Sequence, residues 1–229
     1  MLVQLLTHTP SPEQAVAAAA RLCYSPSSVT ELMDRSRAED QCTFITKIIE
    51  MGHLSVLEHA SFSFGIEGIS RACSHQLVRH RLASYSQQSQ RYVSHEKHFE
   101  TVTPPDIARQ PELKSLFDEA MERLHQVYGR FVSAGIAPED ARFVLPNAAA
   151  TKIVVTMNGR ELRHFFELRC CERAQWEIRA LATEMLRLVR AAAPTLFATS
   201  GPGCVGGRCP EGKKSCGKMA QVREAFSRL

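Results

Sequence analysis

Hydrophobic and polar positions change their period several times along the chain, which predicts a mixture of strands and helices. Short apolar or alternating runs predict strands over 2–6, 61–66 and 151–157. Apolar residues at helical spacing predict helices over 11–23, 38–51, 71–80 and 113–131, a short helical turn over 138–146, and two helices between 158 and 192. The order β-α-α-β-α-β-α-α-β-α-α lacks regular βαβ units and a glycine-rich dinucleotide motif, so it favours an α+β fold.

Several predicted helices begin at residues with good capping chemistry. Ser11, followed by Pro at the first helical position and by Gln14, predicts an N-cap with a capping box. Ser70 predicts the cap of the helix that starts at 71. Asn158, with Glu161 three positions later, predicts another helix start. These residues set the expected boundaries between strands and helices.

The predicted helix over 113–131 carries a long apolar stripe at helical spacing. Its members are Leu113, Leu116, Phe117, Ala120, Leu124, Val127, Tyr128 and Phe131. A stripe of this width packs against another surface. It therefore predicts either part of the core or a subunit interface.

Composition and charge narrow the class of protein. The chain has 229 residues, of which 44% are hydrophobic and 23% charged, as in a globular domain that buries a core. A net charge of +4 does not demand nucleic acid but suits small anionic ligands. The sequence contains no apolar run of about 18 residues, so it predicts no membrane span. The first residues do not have the pattern of a signal peptide. We therefore expect a cytoplasmic protein whose cysteines are reduced.

The stretch 79–92, RHRLASYSQQSQRY, is the most unusual part of the sequence. It contains no acidic residue, but it carries Arg79, His80, Arg81 and Arg91 among hydroxyl and amide side chains. The planar guanidinium of arginine matches phosphate and imide edges. The stretch predicts a binding site for an anionic ligand; a basic nucleic-acid-binding surface is the alternative, which would show steep salt dependence.

Two other patterns carry weaker chemical signals. His53, Glu58 and His59 lie close in sequence, but their spacing does not match known zinc motifs, and we predict no metal there. Ser89 follows His80 without a nucleophile elbow, so it is read as a hydrogen-bonding group, with a nucleophile as the alternative.

The segment 199–229 differs in composition from the rest of the chain. It is rich in glycine and lysine and contains Cys204, Cys209 and Cys216. The Cys-x4-Cys-x6-Cys spacing has no short Cys-x-x-Cys pair and no evident fourth ligand. The segment predicts a mobile or loosely packed basic tail, with a zinc knuckle as the alternative.

The motif Arg-His-Arg-x7-Ser at 79–89 resembles the signature of the flavin-dependent thymidylate synthases. Further blocks resemble that family in the same order, and together they cover 2–197: Gly52-His53, Ser55, Glu58-His59, Gln76, the run 141–146, Asn158-x-Arg160, Leu168-Arg169 and the run 174–177. The resemblance implies a single α+β domain, 1–198, with a sheet core flanked by long helices, followed by the tail 199–229.

The resemblance also implies a reaction and an assembly. The family methylates dUMP to dTMP, takes the one-carbon unit from 5,10-methylenetetrahydrofolate, and takes the reducing hydride from NADPH through FAD. Its members work as homotetramers whose sites are shared between subunits. A flavin-binding relative without methyl transfer is the alternative within this resemblance. Since the flavin carries the redox chemistry, a protein nucleophile is not required.

Site residues follow from the resemblance position by position. Those implied to bind the cofactor are His53, Ser55, Arg79, His80, Arg81, Gln87, Asn158, Arg160 and His164. Those implied to bind dUMP are Gln76, Arg79, Gln87, Gln88, Ser89, Gln90, Arg91, Arg142 and Arg169. Among these, Arg169 is implied to be catalytic, because a fixed cation beside the uracil stabilises its ionised ring.

The sequence departs from the family pattern at a few positions. Ser86 stands where members often have Asn, and Gln87 where some have Glu. His75 replaces an Arg found in some members. An amide cannot act as a carboxylate, so the role of Gln87 is the one that these departures affect most.

Overall fold

The computed structural model describes residues 1–38, 40–93 and 99–229, and it shows an α+β fold. Four strands form one sheet in the order β1-β2-β4-β3: β1 (Leu2–His8), β2 (Ser61–Ser70), β3 (Ala83–Gln87) and β4 (Ala150–Asn158). The α+β prediction is therefore confirmed.

The helices of the described residues vary from one turn to six. In chain order they are α1 (Pro12–Leu22), α2 (Val29–Ala38), α3 (Cys42–Glu50), α4 (Arg71–Leu77), α5 (Pro105–Ala108), α6 (Pro111–Ser133), α7 (Pro138–Ala141), α8 (Gly159–Arg169), α9 (Trp176–Ala192), α10 (Pro194–Phe197) and α11 (Met219–Ser227). Short 3₁₀ helices lie at Leu54–His59, Arg142–Val144 and Gly212–Lys214.

Two side-chain pairs fix the register of the central strands β2 and β4. The hydroxyl oxygens of Ser63 and Thr156 are 2.7 Å apart, and Lys152 forms an ion pair of 3.1 Å with Glu67. The position in β4 falls as the position in β2 rises, so the two strands run antiparallel. The side chains involved alternate with the buried positions of both strands.

Contacts divide the chain into two compact units, and the chain passes between them within strands β2, β3 and β4. The first unit contains Met1–Leu2, Ile66–Arg79 and Tyr85–Val154. The second contains Val3–Gly65, His80–Ser84 and Val155–Leu229. The predicted division of the chain at residue 198 stays a prediction.

The core of the second unit is built from aromatic side chains and the apolar face of α9. Phe62 and Phe166 both pack edge-on against Phe197, with ring centroids 5.3 and 6.0 Å apart. From α9, fully buried side chains include Leu181 and Met185. Edge-to-face contacts of this kind add to the gain from burying the rings. They join β2, α8 and α10.

In the first unit the long helix α6 buries little of its apolar stripe. Tyr128 is fully buried, but Leu113, Leu116 and Phe131 are exposed. Each unit thus has its own buried core, and α6 leaves part of a hydrophobic face uncovered by this chain.

The capping predictions had mixed outcomes. The side chain of Ser70 accepts from the backbone N–H of Cys73 at 3.0 Å, and that of Asn158 accepts from Glu161 N–H at 2.9 Å, so both caps are confirmed. The capping box at Ser11 is wrong. Ser11 precedes α1, but its backbone is left-handed (φ 45°) instead of extended as in a usual N-cap, and its side chain makes no cap hydrogen bond.

Element boundaries also differ from the predictions in places. Helix α2 was not predicted, because its sequence VTELMDRSRA has few apolar residues and only a short periodic pattern. The helix predicted over 38–51 is shorter in the structure, where it is α3. The second of the two helices predicted between 158 and 192 is α9, which begins at Trp176 and is capped by Gln175. The strand in sixth place of the predicted order is β3. None of the described helices is both long and apolar enough to cross a membrane.

Candidate active site

His80, the centre of the Arg-His-Arg motif, is buried, while the arginines on either side of it are exposed. Only 5% of the surface of His80 is accessible. Arg79 follows the end of α4, and Arg81 precedes β3. The three residues predicted to hold one cofactor therefore face different surroundings: His80 is held by its own chain, whereas both guanidinium groups are exposed.

Three side chains form a hydrogen-bonded series through His80. Arg169 donates from Nε to His80 Nε2 at 3.0 Å. Because an arginine cannot accept, Nε2 carries no proton, and the proton of the neutral ring lies on Nδ1. His80 Nδ1 therefore donates to Glu161 Oε1 at 3.2 Å. The series Glu161–His80–Arg169 joins the first turn of α8 to its last residue.

The electrostatics of this series favour a neutral imidazole. Burial, followed by the nearby charges of Arg169 and His164, lowers the pKa of His80 to about 4. Burial raises the pKa of Glu161, although His164 acts in the opposite direction. The ring of Phe165, 4.9 Å from that of His80, forms an apolar wall beside it. His80 is thus an acceptor for Arg169 over the ordinary pH range.

A cleft of about 680 Å³ lies along one side of α8; we call it the α8 cleft. It brings together three of the predicted cofactor-binding residues, Asn158, Arg160 and His164. Leu82, the residue after Arg81, also lines this cleft. This volume lies in the range of small-molecule sites.

Arg160 and Asn158 already have partners in the α8 cleft. Arg160 Nη1 donates to Glu58 Oε1 at 2.7 Å, and about half of each side chain is exposed. Asn158 uses its side-chain oxygen to cap α8, so its amide nitrogen remains the group that it can direct to a ligand. An exposed ion pair such as that of Arg160 is worth little, so an anionic ligand can replace Glu58 at small cost.

Three charged residues that α8 contributes to the α8 cleft were not predicted as site residues. Glu161 was noticed only as the third residue of a helix, and Arg163 not at all. Arg163 donates to Leu196 O at 2.7 Å and to the hydroxyls of Thr199 and Ser200 at 3.1 Å each. The spacing of 160, 163 and 164 on one helix could have placed Arg163 beside Arg160. Glu167 has no comparable sequence signal.

The structure places His53 and Ser55 in another cleft of the second unit, not in the α8 cleft. Both are exposed and line a mainly apolar cleft of about 270 Å³ together with Tyr24 and Phe44. The 3₁₀ helix Leu54–His59 separates the two clefts, since its other residues Leu54 and Glu58 face the α8 cleft.

In the first unit, the predicted nucleotide residues Arg91 and Arg142 meet at Glu139. Arg91 donates to Glu139 Oε2 from Nε at 2.8 Å and from Nη2 at 2.7 Å. Arg142 donates from Nε to the backbone oxygen of Glu139 at 3.0 Å. Arg71 lies near Arg142, and burial followed by that charge lowers its pKa. Two guanidinium groups therefore bind Glu139, one at its carboxylate and one at its backbone oxygen, and a third lies near Arg142.

The remaining predicted nucleotide residues are placed by hydrogen bonds within the first unit. Gln87 Nε2 donates to Ser74 Oγ at 3.0 Å and to Thr151 Oγ1 at 3.1 Å, which fixes its amide. Ser89 Oγ accepts from the backbone N–H of Arg91 at 3.1 Å, so the chain turns here. Gln76, Gln88 and Gln90 are partly exposed.

The tail makes defined contacts with the rest of the second unit. It ends in α11, and Arg190 Nη1 of α9 donates to Phe226 O at 2.6 Å. Thr199 and Ser200 are fixed by Arg163, and Gly201, Gly203 and their neighbours line the α8 cleft. The tail contributes to the wall of the candidate site, which composition alone did not indicate.

Comparisons with known proteins show the family of the chain. The family model described as thymidylate synthase complementing protein, Thy1, matches residues 4–195. A flavin-dependent thymidylate synthase of Geobacter sulfurreducens is 59% identical over 100% of this chain and 99% of its own length. Proteins of the same name from Clostridium tetani and Pyrococcus abyssi are 49% and 46% identical over 98% and 99% of this chain, and 96% and 97% of theirs. The chain belongs to the thymidylate synthase complementing protein family.

Proposed function

We propose that this protein is a flavin-dependent thymidylate synthase, which forms dTMP from dUMP with 5,10-methylenetetrahydrofolate as one-carbon donor and NADPH as reductant. The family and the shared name of its relatives give the activity and the FAD cofactor. The structural observation that carries the proposal is the series Glu161–His80–Arg169, because Glu161 lines the α8 cleft and Arg169 is the implied catalytic residue.

The α8 cleft is the proposed site of FAD. Its donors, the Arg160 guanidinium, the Asn158 amide and the His164 ring, suit a ligand with a pyrophosphate and a polar ring edge. Arg79, Arg81, His53, Ser55 and Gln87 are proposed to contact the same cofactor. When bound, FAD supplies the transfer of reducing electrons between NADPH and the one-carbon unit.

Arg169 is the residue that we propose to act on the substrate. Its guanidinium stays charged, and one face of it is fixed because His80 accepts from Nε. A cation held beside the uracil ring stabilises the anion formed when the ring N–H ionises, which makes the ring carbon that receives the one-carbon unit more electron-rich. His80 cannot compete for the proton, since its pKa is about 4.

Glu161 and His80 are positioning residues in this proposal. His80 must be neutral, with its proton on Nδ1, to accept from Arg169. Glu161 favours that tautomer by accepting the Nδ1–H. The buried pair therefore orients the Arg169 side chain without contacting the substrate. Residues that hydrogen-bond to the ligands of a metal ion orient those ligands in the same way.

The first unit is proposed to bind dUMP through its guanidinium cluster. Arg91 and Arg142 offer forked donors to the phosphate, and Glu139 holds both in place before the ligand binds. The turn 87–91 adds the Ser89 hydroxyl and the backbone and side chains of Gln87, Gln88 and Gln90. Gln76 and Arg79, at the end of α4, complete the proposed set.

The assembly is proposed to be a homotetramer in the cytoplasm. Support comes from α6, whose Leu113, Leu116 and Phe131 remain exposed in the chain. Exposed apolar stripes of this kind mark interaction surfaces. Since sites shared between subunits would need this interface, loss of the tetramer should also reduce activity.

An absorption spectrum combined with product analysis tests the proposal. The purified protein with FAD should show a flavin spectrum that bleaches with NADPH in the absence of oxygen, and dTMP should form only when dUMP and methylenetetrahydrofolate are both present. Bleaching without dTMP would favour a flavoprotein that has lost methyl transfer. A protein that binds no FAD, but binds nucleic acid with steep salt dependence, would overturn the proposal.

A further inference from the structure

Four of the eight cysteines line one cleft of the second unit, which we call the cysteine cleft. Its volume is about 340 Å³. Cys204, Cys209 and Cys216 come from the tail, and Cys171 comes from the connection between α8 and α9. The spacing of the tail cysteines offered three ligands without a fourth. The fold supplies Cys171 as the fourth thiol.

Several contacts hold the tail against the connection that carries Cys171. Lys218 forms an ion pair of 3.5 Å with Glu172, the residue after Cys171. Arg223, on α11, donates to Cys204 O at 2.8 Å and to Gly207 O at 2.7 Å. The approach of the cysteines is therefore fixed by the backbone and by charged side chains at both ends of the tail loop.

Nothing apolar stabilises the loop between these anchors. From 206 to 218 no residue is buried, and Cys209 and Cys216 are the two least exposed positions of the segment. The only regular element there is the 3₁₀ helix Gly212–Lys214. A segment that buries so little surface cannot offset its conformational entropy by a hydrophobic core. Structural zinc sites stabilise segments of this kind.

We propose that Cys171, Cys204, Cys209 and Cys216 together bind one zinc ion. Each thiol gives up its proton to solvent and binds as a thiolate, and four sulfurs satisfy the tetrahedral geometry that zinc prefers. None of the four cysteines is among the residues proposed to bind FAD or dUMP, and the proposal does not depend on the proposed function.

Metal binding must draw the sulfurs closer together. As the described residues stand, no group of three or more metal-ligating side chains is close enough to hold an ion. The tail can adjust, because Gly206, Gly207, Gly212 and Gly217 have nothing within 4 Å of a Cβ position. Binding and ordering of the loop are then one step.

The zinc would also order part of the α8 cleft. Gly203, one residue before Cys204, lines both the α8 cleft and the cysteine cleft. Arg169 lines the cysteine cleft as well, two residues before Cys171. Zinc loss should therefore lower stability first and loosen FAD binding second.

Metal analysis of the purified full-length protein, prepared without chelators, tests the proposal. We expect about one zinc ion per chain by inductively coupled plasma mass spectrometry. Titration with a mercurial thiol reagent should release this zinc, which a zinc-binding dye then detects. The wild-type protein suffices for this test, so it does not depend on whether a variant folds.

Serine variants locate the ligands. Cys171→Ser and Cys209→Ser should each lower the zinc content to less than about half and lower the Tm by at least about 5 °C. Cys42→Ser is the matched control: Cys42 is exposed, lies outside the cleft and accepts from the Thr195 hydroxyl, which serine can also do. It should keep the zinc.

Three outcomes would overturn the proposal. The first is a wild-type protein that holds no zinc and takes up none when zinc is added to the reduced protein. The second is a preparation with iron and sulfide in place of zinc. The third is a disulfide between cleft cysteines in reduced, zinc-supplied protein, found by mass spectrometry.

Discussion

Arg169 Nε donates to His80 Nε2 at 3.0 Å, and this bond joins the predicted catalytic arginine to the centre of the Arg-His-Arg motif. The two residues are 89 positions apart in the chain. The bond requires a neutral imidazole, which burial and the nearby arginine themselves favour. The same contact therefore positions the Arg169 guanidinium and keeps the His80 ring neutral.

The first prediction concerns stability in acid. The pKa of His80 is about 4 in the folded protein and about 6.5 in the unfolded chain, so the unfolded chain binds more protons between these values. The stabilisation is fully present above about pH 6.5 and is lost as the pH falls toward about 4, by at most about 3 kcal/mol. Urea unfolding at several pH values measures it.

The control for this prediction is His80→Asn, which removes the titrating ring. The acid-dependent loss between about pH 6.5 and 4 should be smaller in the variant than in the wild type. Glu161 changes the pH dependence of stability in the opposite sense. Its pKa is raised in the folded protein, so its contribution to stability decreases as the pH rises above the pKa of the unfolded chain. Equal slopes in both proteins would contradict the buried neutral His80.

The second prediction concerns Arg169. Arg169→Ala should lower kcat for dTMP formation by at least about 100-fold, the usual effect of losing one fixed electrostatic group. FAD binding, measured by fluorescence titration, should stay within about threefold. Arg187→Ala is the control, since Arg187 is an exposed arginine of α9 that pairs with Glu184. Retained dTMP formation in Arg169→Ala would rule out the proposed role.

The third prediction concerns Glu161, which acts through His80. Glu161→Ala leaves the buried Nδ1–H of His80 without its acceptor, a loss of about 1–3 kcal/mol. We expect kcat to fall by about 5- to 100-fold with little change in the KM for dUMP. Glu161→Gln keeps an acceptor oxygen and should recover most of the rate. A merely structural role would instead lower both variants' Tm and leave kcat of the folded fraction unchanged.

Part of the candidate site could be predicted from local sequence patterns, and the rest depends on packing between distant segments. The motif at 79–89 and the α8 residues Asn158, Arg160 and His164 are local patterns, and the structure places the latter three in one cleft. The burial of His80 and its bond to Arg169 depend on packing between distant segments. Residue spacing does not encode such contacts. From the sequence, His80 could therefore be predicted only to bind a ligand, and not to be buried against Arg169.

The fold shows the same division. Caps at Ser70 and Asn158 were predicted because their hydrogen bonds are local. The failed cap at Ser11 and the unpredicted helix α2 both depend on context: Ser11 has a left-handed backbone, and α2 has little periodicity of its own. Similarly, Cys171 joins the tail cysteines only through the folded connection after α8.

The fourth prediction concerns the guanidinium cluster of the first unit. Arg142→Ala should raise the KM for dUMP by about 10- to 100-fold, since a forked contact to phosphate is charge-assisted. The KM for NADPH, which is not proposed to bind at this cluster, should not change. Arg130→Ala, an exposed arginine of α6, is the control. An unchanged KM for dUMP in Arg142→Ala would remove this cluster from the nucleotide site.

The most direct test is dTMP formation by the purified protein, followed by chromatography over time in the absence of oxygen. With FAD, NADPH, methylenetetrahydrofolate and dUMP present, we expect dTMP in the wild type, and loss of product when any one component is omitted or when Arg169 is replaced by Ala. A folded, FAD-loaded wild-type protein that forms no dTMP under these conditions would contradict the proposed function.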